Sequence, residues 1–320
     1  MDIIGGPFMP FSADYSSVAV LLPIYREHIS AVDRAIHSIF DQTYQDISLV
    51  VVADDPSNRE LINHVESLLD RSSIASRLIV NPNNMGLSRS LNSALENIDT
   101  PYVCRMDADD FSHPSRIEQQ MKYLISNQLD LIGCYMNVYS ESGELLYKED
   151  RLPVESDSIA KVLACKNCIM HPTWLGKREV FSLAYRRVPL AEDLDFLIRA
   201  ALAGYSLGNC PKCLFDYTLS TGSVSRSDQY RQYLVQDILT REYKNHREVS
   251  LNELNGEVER RWNAVDDERY CSAVADLNAM FADAPLFNRV SVAARVISAA
   301  VMSPPFRNKI LTNAIATFIR

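Results

Sequence analysis

The feature that most constrains this chain is a regular change of hydrophobic period. Short unbroken apolar runs alternate with stretches whose apolar residues recur every three or four positions. Val18-Ala19-Val20-Leu21-Leu22 opens the series, and Pro23 is expected to end that strand. From Ile29 to Phe40 the apolar positions are Ile29, Val32, Ile36, Ile39 and Phe40, which form one helical stripe. A strand follows over 47–53, a helix over 61–69, a short strand over 78–80, a helix over 87–95 and a fourth strand over 102–106. Strands without polar alternation are buried on both faces, so the pattern predicts βαβ units and a mostly parallel sheet.

Further along, the spacing predicts a helix over 116–126, strands or a hairpin over 130–139 and 143–147, a helix over 193–203 and a strand over 207–217. From about residue 229 every periodic segment is helical, and Pro304-Pro305 divides the tail into two helical pieces. Three units are expected: a Gly-, Pro- and Ser-rich leader over 1–17, an α/β domain over 18–228 and a helical extension over 229–320.

In parallel sheets, ligands bind outside the carboxyl ends of the strands. Three such ends carry polar residues here: Pro23-Ile24-Tyr25, Asp54-Asp55 and Asp107-Ala108-Asp109-Asp110. Two carboxylates separated by one residue can reach one hard cation such as Mg2+ or Mn2+, whose remaining ligands would be substrate phosphates. The competing reading is a solvated acidic turn, with Asp110 capping the helix after Pro114. A calcium loop over 107–118 fails, because Phe111 and Ser112 stand where a ligand and a glycine are needed. A phosphatase of the haloacid dehalogenase type would want Thr or Val in place of Phe111 and a first strand rather than a fourth.

Asp54 or Asp55 could accept the imide N–H of a uracil, and Tyr25 could stack on the base. Glu192-Asp193 opens a helix, where acids favour the dipole. The same pair could take a proton from an attacking hydroxyl. His171 is a candidate for contact with an acceptor.

The 32 basic and 41 acidic residues give a net charge of −9, which speaks against a nucleic-acid binder. The charge is uneven. Residues 284–320 hold Arg289, Arg295, Arg307, Lys309 and Arg320 with no acid, a pattern suited to an anionic surface. Met1–Ser17 contains no Lys or Arg, so a secretory signal is not expected, and no run of 18 apolar residues predicts a membrane span. The expected compartment is therefore the cytoplasm, including the inner face of the membrane.

Seven cysteines without an export signal argue against a disulfide framework. Four of them form two CxxC pairs, Cys165-Cys168 and Cys210-Cys213. The 41 residues between the pairs exceed the roughly 15–20 usual for a zinc site. A non-catalytic, zinc-stabilised binding module is nonetheless the second reading. A nucleotidyltransferase is disfavoured, because Ile24-Tyr25-Arg26-Glu27-His28 offers no glycine to cradle phosphates.

The ordered motifs resemble the family 2 inverting glycosyltransferases of the GT-A fold, above all bacterial enzymes of O-antigen and capsule synthesis. The resemblance is carried by residues 18–25, Ser38-Ile39-Phe40-Asp41-Gln42-Thr43-Tyr44, the strand ending in Asp54-Asp55-Pro56-Ser57, and Asn84-Met85-Gly86-Leu87-Ser88 with Leu91-Asn92. It continues through Arg105-Met106-Asp107-Ala108-Asp109-Asp110, His113-Pro114-Ser115-Arg116, Cys168-Ile169-Met170-His171-Pro172 and Ala191-Glu192-Asp193-Leu194-Asp195-Phe196.

The resemblance implies a GT-A fold with a helical C-terminal extension. Residues 18–110 would form a nucleotide-binding half and 111–228 an acceptor-binding half. Pro23, Tyr25, Asp54, Asp55 and Asp107 would bind the nucleotide. Asp107 and Asp109 would hold Mn2+ or Mg2+, Asp193 would be the general base, and Glu192 and His171 would meet the acceptor. The implied donor is a nucleotide-sugar of UDP-Gal, UDP-Glc or UDP-GlcNAc type, and the implied acceptor is a polyprenyl-diphosphate-linked glycan. Where the family often has Tyr-Arg-x-His, this chain reads Tyr217-Thr218-Leu219-Ser220, which leaves Arg226 as the nearest substitute for a third contact.

Overall fold

The computed structural model describes residues 17–219, 228–281, 296, 298–301 and 303–319. The leader over 1–16, Ser220, Arg226, Arg289, Arg295 and Arg320 lie outside the described residues.

The alternation appears as β1 (Val18–Ile24), α1 (Ile29–Phe40), β2 (Ile47–Ala53), α2 (Arg59–Leu69), β3 (Ala75–Val80), α3 (Leu87–Leu95) and β4 (Tyr102–Arg105). These four strands pair in parallel, in the order β3-β2-β1-β4. β1 runs through Pro23 instead of ending before it. Pro23 pairs with Val52 of β2, whereas the register with β4 stops at Leu21. The missing N–H therefore faces a position that β4 has already left, and no ladder bond is lost.

The sheet then changes character. After β5 (Phe111–Ser112) and α4 (Arg116–Ser126) come β6 (Leu131–Ser140), β7 (Leu145–Glu149), α5 (Ser156–Leu163), β8 (Leu175–Lys177), α6 (Arg178–Phe181), α7 (Glu192–Leu202) and β9 (Leu207–Leu219). β8 joins the two halves, antiparallel to both β4 and β6, and β6 lies parallel to β9. The full order is β3-β2-β1-β4-β8-β6-β9-β5, with β7 also on β6. β5, α5, β8 and α6 have no counterpart in the sequence reading.

Both faces of the sheet are buried, which is why its strands read as unbroken apolar runs. Val20, Leu22, Leu49 and Val51 face one core with α1, α2 and α4. Ala19, Leu21, Val50 and Val52 face another. That second core takes in the helices α8 (Gln229–Lys244), α9 (Leu251–Arg261), α10 (Ala264–Phe281) and α11 (Pro304–Ile319) through Leu234, Ile238, Leu254, Tyr270 and Phe306. The secondary structure changes near residue 228, but the core is not divided there. α11 begins at Pro304, where a missing N–H is harmless. Among the described residues no helix is long and apolar enough to cross a membrane.

Candidate active site

The two aspartates that end β2 point to different tasks. Asp54 is buried and accepts hydrogen bonds from the Met85 and Gly86 N–H groups, each at 2.8 Å, and from Asn81 Nδ2 at 2.8 Å. It thereby fastens the β3–α3 loop to the end of β2. Gly86, the residue before α3, has φ +80°, a conformation that L side chains avoid. Asp55 accepts from Arg26 Nε at 2.8 Å and from Ser57. The Ser57 hydroxyl and then the Arg26 guanidinium hold its carboxyl below the usual range. Tyr25 follows β1; its hydroxyl accepts from Asn84 at 3.0 Å, and the Arg26 guanidinium lies 4.8 Å from its ring centre. Residues 25, 26, 55 and 84 thus form one polar rim at the ends of β1, β2 and β3.

The end of β4 is crowded with acid. Asp107 is 2.6 Å from Nη1 of Arg105, a side chain only 2% exposed. Asp109 is pushed up to about 6, first by burial and then by Asp107. Glu27, which the sequence reading did not single out, is raised by burial and also feels Asp107. Asp110 is fully buried and does not cap α4, whose N-cap is Ser115. Its Oδ1 accepts from the Thr218 N–H at 2.8 Å, and its Oδ2 has no partner. The Thr218 hydroxyl and Arg34 both donate to the Asp109 carbonyl. In this chain Thr218 pins the acidic turn to β9.

Arg105 also reaches the second group of acids. Its charge lowers the proton affinity of Glu192 and Asp193 and opposes protonation of His171. Asp193 accepts from Asn167 Nδ2 at 2.6 Å and from the Leu194 N–H at 2.7 Å. Burial raises its carboxyl above the usual range. Glu192 is raised to about 7, first by burial and then by the charge of Asp193. Two acids sharing a site do not both ionise easily, so Glu192 titrates near neutrality. His171 is buried against Trp174, ring centres 4.6 Å apart, and lies 3.0 Å from the Tyr185 hydroxyl. Burial keeps it neutral, which suits a support for the site better than direct contact with an acceptor.

Several motif residues turn out to hold the site in place. Asn92 brackets the backbone of Tyr185 from both sides, at 2.8 and 2.9 Å. Arg116 is fully buried, lies 4.6 Å from the Phe215 ring centre and donates to the carbonyls of Arg105 and Pro172. Asp195, also buried, pairs with Arg186 and Arg199. These roles could have been suspected from polar residues placed where a core face was predicted, since such groups need partners.

Two open clefts flank the site. One, of about 1000 Å3, is bordered by Tyr25, Glu27, Asp109 and the β6–β7 turn. The other, of about 920 Å3, lies over Gly86, Arg89, Glu192 and Asp193 and is walled on one side by α8 and α9.

The CxxC pairs do not form a metal centre. Cys168 and Cys210 are buried and Cys165 and Cys213 half-buried. Among the described residues no three His, Cys, Asp or Glu side chains are placed to hold a metal.

Comparison with known proteins agrees with this geometry. The family described as Glycosyl transferase family 2 matches residues 19–182. The O-antigen biosynthesis glycosyltransferase WbnJ of Escherichia coli is 30% identical over 221 residues, covering 66% of this chain and 82% of that protein. The amylovoran biosynthesis glycosyltransferase AmsE of Erwinia amylovora is 26% identical, covering 65% and 78%. Among solved structures, S. aureus TarS 1–349 in complex with UDP-GlcNAc aligns at a TM-score of 0.58 and 12% identity, covering 94% of this chain and 89% of that one. The mannosyltransferase PcManGT of Pyrobaculum calidifontis, solved with GDP-Man and Mn2+, aligns at 0.53 and 17%, covering 95% and 86%. These two share the fold.

Proposed function

Because the chain belongs to glycosyl transferase family 2, has the GT-A fold and is related to enzymes of O-antigen and polysaccharide synthesis, we propose that it is an inverting transferase that moves a hexosyl group from a UDP-sugar to a glycan hydroxyl. The observation that carries the reading is one buried guanidinium between two acid groups: Arg105 is paired to Asp107 and acts electrostatically on Glu192 and Asp193.

The base would lie on the rim of Pro23, Tyr25 and Asp55. Asp54 would support that site from behind by holding Gly86, rather than meet the nucleotide itself. A divalent cation, Mn2+ or Mg2+, would be held by Asp107 and Asp109. The residues present fit such an ion, because Glu27, Asp107, Asp109 and Asp110 crowd together and one Asp110 oxygen is buried without a partner. When bound, it would neutralise the diphosphate leaving group.

In the reaction the acceptor oxygen attacks the anomeric carbon as the bond to diphosphate breaks, and the hydroxyl proton passes to Asp193 on the opposite face. Asn167 and the Leu194 N–H orient that carboxylate, and Glu192 lies beside it. On this reading 18–110 serves the nucleotide, 111–228 serves the acceptor and 229–320 is a helical extension. UDP-bound TarS and the O-antigen relative support the donor and acceptor classes. Asp193→Asn is the test: transfer should fall at least about a thousand-fold with UDP affinity nearly unchanged. Near-normal turnover would sink the assignment.

A polyprenyl-linked acceptor would bring the enzyme to the inner leaflet. In support, α11 buries Phe306 and Ala316 in the body while leaving Leu311 and Ile315 exposed beside Arg307. Flotation with anionic liposomes, comparing the wild type with Leu311→Asp/Ile315→Asp, tests this contact. Equal flotation would exclude it.

A further inference from the structure

The cleft over Glu192 and Asp193 holds two arginines that the fold does not use. Arg89 comes from α3 and Arg187 from the segment between α6 and α7. Both are exposed, and neither pairs with an acid among the described residues. The arginines around them are spent. On α8 and α9, Arg231 pairs with Glu259, Arg241 with Glu257, and Arg261 with Asp237. Arg186, next to Arg187, pairs with Asp195 and Glu248. Arg89 stands in the first turn of α3, where the helix dipole opposes a cation and no acid offsets it. Its charge therefore does not serve the helix. The segment that carries Arg187 is held firmly: Val188 is buried in the core, and Gln232 of α8 donates to the Leu190 carbonyl at 2.9 Å. Leu190 has φ +62°, a conformation that L side chains avoid.

A guanidinium is a rigid fork of N–H donors that matches carboxylate and phosphate oxygens. One fork satisfies a carboxylate. Two forks from different elements suit a group with more oxygens and more charge. Asp107 and Asp109, which would hold the cation and the donor diphosphate, do not line this cleft, and Asp109 borders the other one. From this arrangement we propose that Arg89 and Arg187 bind phosphoryl oxygens of the acceptor. A phosphate of the acceptor and the hydroxyl that gives its proton to Asp193 then lie in one cleft. This rests on the transferase reading, and it names the acceptor class at the same site: a sugar linked to phosphate or diphosphate.

Calorimetric titration of the full-length protein with inorganic diphosphate, in EDTA, tests it without requiring turnover. The wild type should bind, and Arg89→Gln/Arg187→Gln should bind at least about ten-fold more weakly. Glucuronate, as the carboxylate probe, should bind the wild type more weakly than diphosphate does. Affinity for UDP with Mn2+ should be the same in both proteins. The variant should melt no lower than the wild type, since Arg89 opposes the α3 dipole. Equal diphosphate binding in the two proteins would overturn the inference, as would no binding by the wild type or tighter binding of glucuronate. A parallel loss of UDP affinity would give the arginines to the donor, and a lower melting temperature would give them to the fold; either result also overturns it. The expected diphosphate pattern in a protein unable to turn over any nucleotide-sugar would leave the anion site standing and remove the transferase reading. Sugar transfer with unchanged diphosphate binding in the variant would do the reverse.

Discussion

Nη1 of Arg105 lies 2.6 Å from Oδ2 of Asp107, with the arginine buried at the end of β4 and the aspartate partly open to solvent. This pair fixes the direction of Asp107 and puts a permanent positive charge under the whole site. Arg105 has its proton affinity lowered by burial, but Asp107 outweighs that and the guanidinium stays charged. Arg105→Met should therefore do more than loosen one bond. Removing the charge lets Glu192 and Asp193 rise, so the acidic limb of the kcat/KM profile should move to higher pH by about one unit. Arg105→Lys should restore much of the shift. A profile that does not move in Arg105→Met would show that the guanidinium is structural only.

Glu192 gives a second pH effect of opposite use. Its carboxyl is raised from an ordinary 4.5 to about 7 in the folded protein. Between those values the folded state keeps a proton that the unfolded chain has released, so stability falls as pH rises through this window. Above about 7 the loss is complete and amounts to about 3 kcal/mol. Glu192→Gln should thus melt higher than the wild type at pH 8 and at the same temperature at pH 4, in buffer without divalent cations. Equal melting at both pH values would mean that Glu192 is better solvated than its surroundings imply.

Asp54 and Gly86 form a structural unit whose loss should reach the nucleotide. Asp54→Ala leaves the N–H groups of Met85 and Gly86 without their acceptor, at a cost of about 2–3 kcal/mol. Gly86→Ala meets the positive φ instead and should cost about 1–3 kcal/mol. Hydrogen exchange over residues 81–88 should rise in both variants, with weaker UDP binding. Faster exchange without any change in UDP affinity would separate this loop from the nucleotide site.

The acidic turn predicts a divided effect. Asp109→Asn should weaken Mn2+ binding in the presence of UDP by at least about ten-fold in calorimetry, since a carboxylate is a much better ligand than an amide for a hard cation. It should raise stability without metal, because Asp109 is buried beside Asp107. Unaltered Mn2+ affinity would remove Asp109 from the ligand set.

The parallel half of the fold was legible because a strand buried on both faces, like β1 or β2, leaves an unbroken apolar run. β8 was not: three residues, Leu175–Lys177, carry no period, and only the register with β4 and β6 reveals them. At the site, Asp107, Asp109 and Asp193 stood out as acids at element ends. The difference between Asp54 and Asp55 was invisible, since neighbours in sequence take opposite directions and only the folded β3–α3 loop supplies the donors for one of them. The task of Arg105 follows from its burial. A charge inside a buried strand needs a partner, and Asp107, two residues on, lies on the same side. Glu27 gave no comparable signal: it accepts from the Tyr25 N–H in its own loop, and Asp107 comes near it only in the fold.

The shared core has a consequence for how the molecule is made. Ala19 and Leu21 of the first strand belong to the same cluster as Phe306 and Ala316 of α11. Contacts between residues so far apart in the chain are formed late and slowly. On that face α3 covers β1 and β2 early in the chain, and α11 packs over α5 and α10. Removing α11 should therefore uncover the apolar sides of α5 and α10, and a protein without it should fail in folding before it fails in catalysis.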